Sequence, residues 1–501
     1  MGESLSTLAK LWPGDLGQRT AVVIPDGGPI LTYIQLEQQV ASLAEMLAQG
    51  GIGKGDTVAI VLPNSLEFLA TFLAVVSLRA QAAPLDQAHK FEEFKFYMKA
   101  TGARAVVVPQ APHAACDAAS DLRLPIWKAS LQGQVRLEGM STSGQAARND
   151  GPPQPDDVAL FLHTSGTTSH PKGVPLTHAN LTTSIRNIAA TYCLSPSDVS
   201  LVVMPMYHVH GLMAAVLSTL HTGGTVVIPQ RFSASRFWPQ VRTHRATWYT
   251  AVPTIHQILL ARADEDEAPR GGLRFIRSCS ASLAPAFQGR LEARFGAPVL
   301  QAYGMTEAAH QMTSNPLPPG QSRPGSVGPG TGVEIAILDA AGNRLPAGSC
   351  GEVCIRGPNV MSGYKDPAAN DTAFVQGWFR TGDQGVLDSN GYLTLTGRLK
   401  EIINRGGEKI SPPEVDNALM EHSAVCEAVC FGVPDPKFGE EIHAAVVLRG
   451  DVSEKELQAF CRDRLADYKI PKRVYFVASL PRTTTGKIQR RYVATHLEGK
   501  S

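Results

Sequence analysis

Net charge is what this 501-residue chain has least of: 46 basic residues stand against 45 acidic ones, a balance of +1. No overall field therefore draws it to nucleic acid or to an anionic membrane. Cysteine is scarce, eight residues scattered along the chain. Cys350/Cys354 and Cys426/Cys430 are spaced more widely than the pairs of zinc knuckles and lie in apolar, strand-like stretches, which reads as core thiols of a reducing compartment. Long apolar runs are missing. The most apolar stretch, FLATFLAVVSL, is too short to span a bilayer and follows Pro63, Asn64 and Glu67, so it reads as a buried amphipathic helix. The start, MGESLSTLAK, lacks the apolar centre of a signal peptide. It matches a Met-Gly-x-x-x-Ser acylation pattern, but one acyl chain without a basic cluster anchors weakly. The end, EGKS, is not the Ser-Lys-Leu peroxisomal address. The expected location is the cytoplasm. No internal repeat or coiled coil is evident.

What the chain does have is the make-up of a globular protein, 43% hydrophobic and 18% charged, long enough for several structural units. From about residue 20 to 310, short apolar runs alternate with helical patterns. TVAIVLP, AQAAPLD, ARAVVVP, VSLVVMP, GTVVIP and ATWYTAVP read as buried strands, predicting α/β layers with mostly parallel sheets. Residues 110–155, rich in Ala, Gln and Pro, are expected to be irregular surface. From about 320 to 397, GVEIAILDAAGNRL, GEVCIRG and GYLTLTG predict a small antiparallel β unit, and a mixed α+β segment follows from about 400.

Five polar clusters carry chemistry. LFLHTSGTTSHPKGV runs from an apolar strand into a loop of hydroxyls and glycine. Its Thr164, Ser165, Thr167 and Thr168 offer donors, Gly166 permits close backbone approach, and Lys172 adds a mobile charge, a set suited to phosphate. It is not a Walker loop, and Pro171 makes a helix straight after it unfavourable. By composition alone, an ordinary polar loop is an equal reading. QAYGMTEAAH offers an aromatic face at Tyr303 beside Gly304, a hydroxyl at Thr306, and at Glu307 a hard oxygen ligand for Mg²⁺. WFRTGDQG places Asp383 in a turn, where a carboxylate can grip vicinal hydroxyls or simply form an Asp turn. GRLKEIINRGGEKIS carries Arg398, Lys400, Gly406 and Gly407, and PRTTTGKIQRR carries Lys487.

In this order, TSGTTSHPKG, YGMTE, TGD, GRLKE and TGKIQRR resemble the acyl-adenylate-forming, AMP-binding superfamily: acyl-CoA synthetases, 4-coumarate:CoA ligases, luciferases and adenylation domains. The resemblance spans residues 20 to 497. It implies a large N-terminal region of two α/β sheets and a small β-barrel over 1–398, a hinge at 399–400, and a small mobile α+β domain over 401–501. It also implies ATP, CoA and Mg²⁺, with Thr164 to Lys172 on the β- and γ-phosphates and Glu307 on the metal. Thr306 would then sit by the phosphate, with Ser280, Ala281, Ser282, Tyr303 and Gly304 around adenine. Asp383 and Arg398 would hold the ribose, Lys487 the attacking carboxylate and α-phosphate, Lys400 the hinge, and Gly406 and Gly407 the pantetheine. The implied partners are a small carboxylic acid, ATP and CoA, with no nucleic acid, no stable membrane association and a monomeric state. A module loading a carrier protein and a luciferase-like oxidase are rival classes; neither a carrier domain nor a feature of oxygen chemistry supports them.

Within the superfamily, YHVHG, WYTAVPTIHQILL, FIRSCSASLAP, TEAAHQMTSNPLP and NRGGEKISPPEVD are similar to the oxalyl-CoA synthetases of plants and fungi. Where users of aromatic or fatty acids carry Gly-Ala-Ala-Pro, this chain has CSAS. Ser280, Ser282, His208, His210 and His310 would make a pocket costly for an alkyl chain and suited to a second carboxylate. A 4-coumarate-like or fatty acid ligase is the alternative. His210 is read as catalytic or gating, His256 as a core residue on the helix after Pro253, and His310 as the foremost substrate ligand.

Overall fold

The computed structural model describes residues 5–139, 150–164, 171–264, 268, 271–484 and 486–498. Two large sheets form the body. One has eight strands, in the order His310–Ser314, Val299–Met305, Phe275–Ser278, Trp248–Ala251, Val199–Leu201, Thr225–Val227, Thr20–Val23 and Ile30–Thr32. Its central neighbours pair in parallel and both of its edge pairs are antiparallel. The other has seven strands, in the order Gln134–Glu138, Ile126–Gln132, Ala103–Pro109, Thr57–Ile60, Gln81–Pro84, Val158–Thr164 and Lys172–Thr177. It too is parallel in the middle and antiparallel at both edges. Such strands are buried on both faces, which is why their sequences read as unbroken apolar runs.

Two expectations change. The helix Leu66–Ser77 buries ten of its twelve residues, so it is apolar all round, not amphipathic. It packs between the helix Tyr33–Gln49 on one side and strands of the seven-stranded sheet on the other, and has no solvent face to make polar. Residues 114–138, expected to be irregular, form the helix Ala114–Asp121 and the hairpin Ile126–Gln132/Gln134–Glu138. The hairpin turns at Gly133, with φ +74°. Its alternation of buried and exposed residues is plain only once it is paired at the sheet edge.

Residues 334–398 make a five-stranded antiparallel sheet from Glu334–Leu338, Cys350–Arg356, Phe374–Val375, Trp378–Leu387 and Leu393–Arg398. The C-terminal segment folds on a second five-stranded sheet, Glu408–Ile410, Ile403–Arg405, Gly439–Leu448, Val425–Asp435 and Arg473–Phe476, with the helices Pro412–Met420 and Glu454–Arg462. It has its own core around Ile410, Val415, Leu419 and Ile442. Among the described residues no helix is long and apolar enough to cross a membrane. All eight cysteines are free thiols, four of them buried.

Candidate active site

Three neighbouring parallel strands, Trp248–Ala251, Phe275–Ser278 and Val299–Met305, end side by side, the usual position for a ligand site in an open α/β sheet. Beyond their ends the backbone is held in unusual shapes. Nine described non-glycine residues have positive φ, and three of them meet here: Ser280 (+72°), Ala309 (+49°) and His310 (+101°). Strain of this kind persists only where the surroundings impose it, and it gathers at functional sites. Gly304 explains part of it. A Cβ at 304 would stand 2.0 Å from the His310 carbonyl oxygen, so glycine is what allows the two strands to pass this closely.

The wall is built of imidazoles. His210 opens the helix His210–Leu217, which is wound with π-type hydrogen bonds, a form common at functional sites. Gly211 has no room for a side chain, since a Cβ would meet the Pro205 carbonyl oxygen at 2.3 Å. His210 Nε2 lies 2.6 Å from Thr250 Oγ1, and its Nδ1 lies 3.1 Å from Ser280 Oγ. The His310 ring stacks on His210 at 5.2 Å between centroids. His208 accepts a hydrogen bond from the His210 N–H at its Nδ1. Burial, and then the charge of Arg277, holds both His210 and His310 far below the ordinary histidine pKa. Burial holds His208 at about 4, helped by the nearby Lys487. All three rings are neutral near pH 7. His310 Nε2 is buried without a hydrogen-bond partner, a costly state for a polar atom unless a ligand meets it.

Behind this wall stands Arg277, fully buried. Its guanidinium donates to Tyr192 Oη at 2.8 Å, Thr250 Oγ1 at 3.0 Å and Gln311 Oε1 at 3.1 Å. Every acceptor is neutral. Thr250 and Arg277 face each other across adjacent strands, which sets their contact.

A second group lies towards the antiparallel unit. Asp383, expected in a turn, is inside the strand Trp378–Leu387 and paired with Arg398 of Leu393–Arg398. Gly382, at φ +72°, lets residues 381–383 bulge opposite Val353, since Arg380 pairs with Cys354 and Gln384 with Glu352. The bulge aims the carboxylate: Tyr303 donates to Asp383 Oδ2 at 2.5 Å, and Arg398 Nε lies 3.1 Å from Oδ1. Glu307, on the short turn Thr306–Ala308, is buried beside Thr306 and accepts from Tyr364 Oη at 2.8 Å. Burial raises its pKa above the usual carboxylate range. Lys172 lies over the same Tyr364 ring at 4.5 Å, so Lys172 and Glu307 are brought to one place.

The C-terminal segment reaches in with Lys487. Repulsion from Arg398 and burial push its ammonium down to about 8, with Asp383 and Glu401 opposing. The loop that carries it is docked by polar contacts: Arg482 donates to Thr254 Oγ1 at 2.7 Å, Thr254 donates to the Gly486 carbonyl at 3.2 Å, and Thr484 Oγ1 lies 3.4 Å from Tyr207 Oη.

Thr164 and Lys172 face each other as the last and first residues of an antiparallel pair. Ser165, Gly166, Thr167 and Thr168 lie outside the described residues. Ala281 and Ser282 are exposed, and no described hydrogen bond ties Ser282 to the imidazoles. His256 is buried against Tyr249 Oη at 3.1 Å, the expected core position. Lys400 is exposed in the turn after Arg398. Gly406 and Gly407, at φ +61° and +98°, form the two-residue turn between Ile403–Arg405 and Glu408–Ile410, which by itself calls for glycine. No described hydrogen bond joins them to the imidazoles or to Asp383. Sequence reading passed over Arg277, Thr250 and Tyr364. An arginine between Ile276 and Ser278 gave no sign of being enclosed, although its place three residues before Ser280 was a signal.

The chain matches the AMP-binding enzyme family over residues 12–365 and the AMP-binding enzyme C-terminal domain over residues 414–487. It is similar to an oxalate–CoA ligase of Arabidopsis thaliana, 51% identical over 93% of each chain. It is also similar to one of Saccharomyces cerevisiae, 43% identical over 96% of this chain and 95% of that one. Among solved structures, the ATP-bound MatB of Rhodopseudomonas palustris superposes with a TM-score of 0.89 at 29% identity, covering 99% of this chain and all of that one.

Proposed function

The chain belongs to the AMP-binding enzyme family and is an ATP-dependent acid–CoA ligase, and from that premise we propose that its acid is oxalate. One observation carries the choice. The acyl end of the site is walled by Ser280, His210 and His310, with a buried imidazole nitrogen awaiting a partner and an arginine charge behind it. An alkyl or aryl group there would strand those polar atoms, whereas a second carboxylate satisfies them. The likeness to oxalate–CoA ligases from a plant and a yeast supports the same choice.

In the first step a carboxylate oxygen of the acid attacks the α-phosphorus of ATP, the bond to the bridging oxygen breaks, and pyrophosphate leaves. In the second, the CoA sulfur attacks the acyl carbon, its proton is lost to solvent, and AMP leaves with the bonding pair. Lys487 bridges the incoming carboxylate and the α-phosphate, lowering the repulsion between two anions. Asp383, placed by Tyr303 and Arg398, takes the ribose hydroxyls, and Ala281, Ser282 and Gly304 lie along adenine. Thr164, Lys172 and the residues between them in sequence hold the β- and γ-phosphates, with Thr306 beside them.

Glu307 suits a magnesium ion. It is a buried carboxylate, held by Tyr364, a hard oxygen ligand of the kind magnesium takes together with nucleotide phosphates. When bound there, the ion neutralises charge on the phosphate oxygens.

Lys400 and its neighbour Leu399 are the hinge between residues 1–398 and 401–501. Turning on it withdraws Lys487 and brings Gly406 and Gly407 to the pantetheine. The eight free thiols fit a cytoplasmic protein, and the enzyme works as a monomer.

ATP/pyrophosphate exchange with oxalate, malonate, acetate, octanoate and coumarate tests the reading, and oxalate should dominate. His310→Ala should cost oxalate about 2–4 kcal/mol, roughly 30- to 1000-fold in kcat/KM, with ATP binding little changed. Full oxalate turnover in that variant, or a preference for coumarate or octanoate, defeats the proposal.

A further inference from the structure

Arg277 is a buried cation whose described side-chain partners are three neutral oxygens and the Cys279 thiol, none of them a carboxylate. A charge so enclosed, with no carboxylate to answer it, is a standing cost. As a hub it ties Tyr192, at the end of the helix His178–Thr191, to the strands Trp248–Ala251 and His310–Ser314. A neutral side chain could do that at lower cost, so the charge itself wants a use.

The contacts supply a direction. Arginine only donates, so Thr250 Oγ1 must accept from it. The one other partner described for the Thr250 hydroxyl is His210 Nε2, at 2.6 Å. The hydroxyl proton therefore points to Nε2, and the Arg277 charge on that side favours a lone pair there over an N–H. A neutral His210 then carries its proton on Nδ1 and donates it to Ser280 Oγ, 3.1 Å away. Ser280, accepting from behind, has its own O–H free to donate forward. Were the tautomer reversed, Ser280 would donate backward to Nδ1 and show only lone pairs to the pocket, which repels an anion.

We propose that Arg277 and Thr250 are positioning residues for anion selection: through the chain Arg277→Thr250→His210→Ser280 they turn the serine hydroxyl proton toward the non-reacting carboxylate of the acid. The two act on the acid through His210 and Ser280, and Arg277 also supplies, at one remove, the charge that the second carboxylate balances. The proposal rests on the dicarboxylate reading of the same pocket, but its proton positions exist without any acid bound.

Two measurements test it. In protein labelled with ¹⁵N-histidine, and with the signal assigned by its loss in His210→Gln, long-range ¹H–¹⁵N correlation should report the Nδ1–H tautomer of His210 in the ligand-free wild type. In exchange assays, Thr250→Val should raise the KM for oxalate by about 10- to 100-fold with the KM for ATP little changed, the worth of one misdirected hydrogen bond to a charged group. Thr250→Ser, which keeps the hydroxyl, should restore most of the loss. An Nε2–H tautomer, an unchanged oxalate KM in Thr250→Val, or a Thr250→Ser variant as impaired as Thr250→Val overturns the proposal. A wild type inert towards oxalate defeats the substrate reading alone, and the tautomer, read without substrate, then decides the relay.

Discussion

Gly304 and His310 hold each other in place, because the bare Cα of one makes room for the carbonyl of the other, and the left-handed backbone of His310 then turns its ring onto His210. Adding a single methyl group at 304 forces the two strands apart. Gly304→Ala should therefore destabilise the fold by about 1–3 kcal/mol and lower oxalate activation at least as much as losing the His310 ring. Thermal unfolding and pyrophosphate exchange read the two effects separately. Lys487 gives a residue-scale prediction in pH. Arg398 and burial depress its pKa to about 8 in the free protein, so its charge is present below that value and lost above it. If Lys487 serves the α-phosphate, kcat/KM for ATP in the adenylation half-reaction should fall about tenfold per pH unit above 8. A profile that stays flat well above pH 8 removes Lys487 from that role.

At the scale of elements, the decisive feature is the polar character of the contacts that dock the Lys487 loop. The C-terminal segment has its own apolar core, and the loop bearing Lys487 meets the larger body through Arg482–Thr254, Thr254–Gly486 and Thr484–Tyr207. Polar contacts like these exchange for water at small net cost, which suits the proposed turning of this segment. The turn after Arg398 leaves Lys400 exposed and outside any strand, where a change of backbone angle disturbs no ladder. Lys400→Pro, with φ held near −65°, should leave pyrophosphate exchange close to normal and cripple transfer to CoA. Single-turnover assays of the two half-reactions check this, and normal transfer puts the hinge elsewhere. The π-wound helix His210–Leu217 and the bulge at 381–383 belong to the same scale. Each re-aims one side chain, His210 or Asp383, at the price of one irregularity.

Taken whole, the molecule carries an unusual load of buried neutral histidine. Burial holds His163, His178, His208 and His256 near 4, and pushes His210 and His310 well below the ordinary histidine value. Each has its folded pKa depressed from 6.5, so its contribution is complete above 6.5 and is lost as pH falls towards 4. In that window the unfolded chain binds protons that the folded chain refuses, so stability rises with pH. Unfolding near pH 5 should take up more than about one proton, and the melting temperature should drop steadily from pH 6.5 to 4. Calorimetry in buffers of different ionisation enthalpy reads the uptake directly. A melting temperature independent of pH across that range contradicts the burial of these rings.

The sequence by itself determined the fold class and the family, and it singled out most of the polar groups of the candidate site, because each is written in local terms. An unbroken apolar run is a strand buried on both faces, and a Thr/Gly loop ending in lysine keeps its spacing wherever the chain carries it. Ser280, His210 and His310 were legible because imidazole and hydroxyl groups stand out against the apolar residues around them. Only the tertiary structure decided that Asp383 sits on a bulged strand, that residues 114–138 are ordered at a sheet edge, and that Gly304 is sterically required. It alone showed Arg277 as well, since an arginine within a strand looks the same in sequence whether it faces water or a neighbour 27 positions away. Burial and the direction of a hydrogen-bond chain belong to pairs of residues distant in sequence, and no local pattern records which of them will meet.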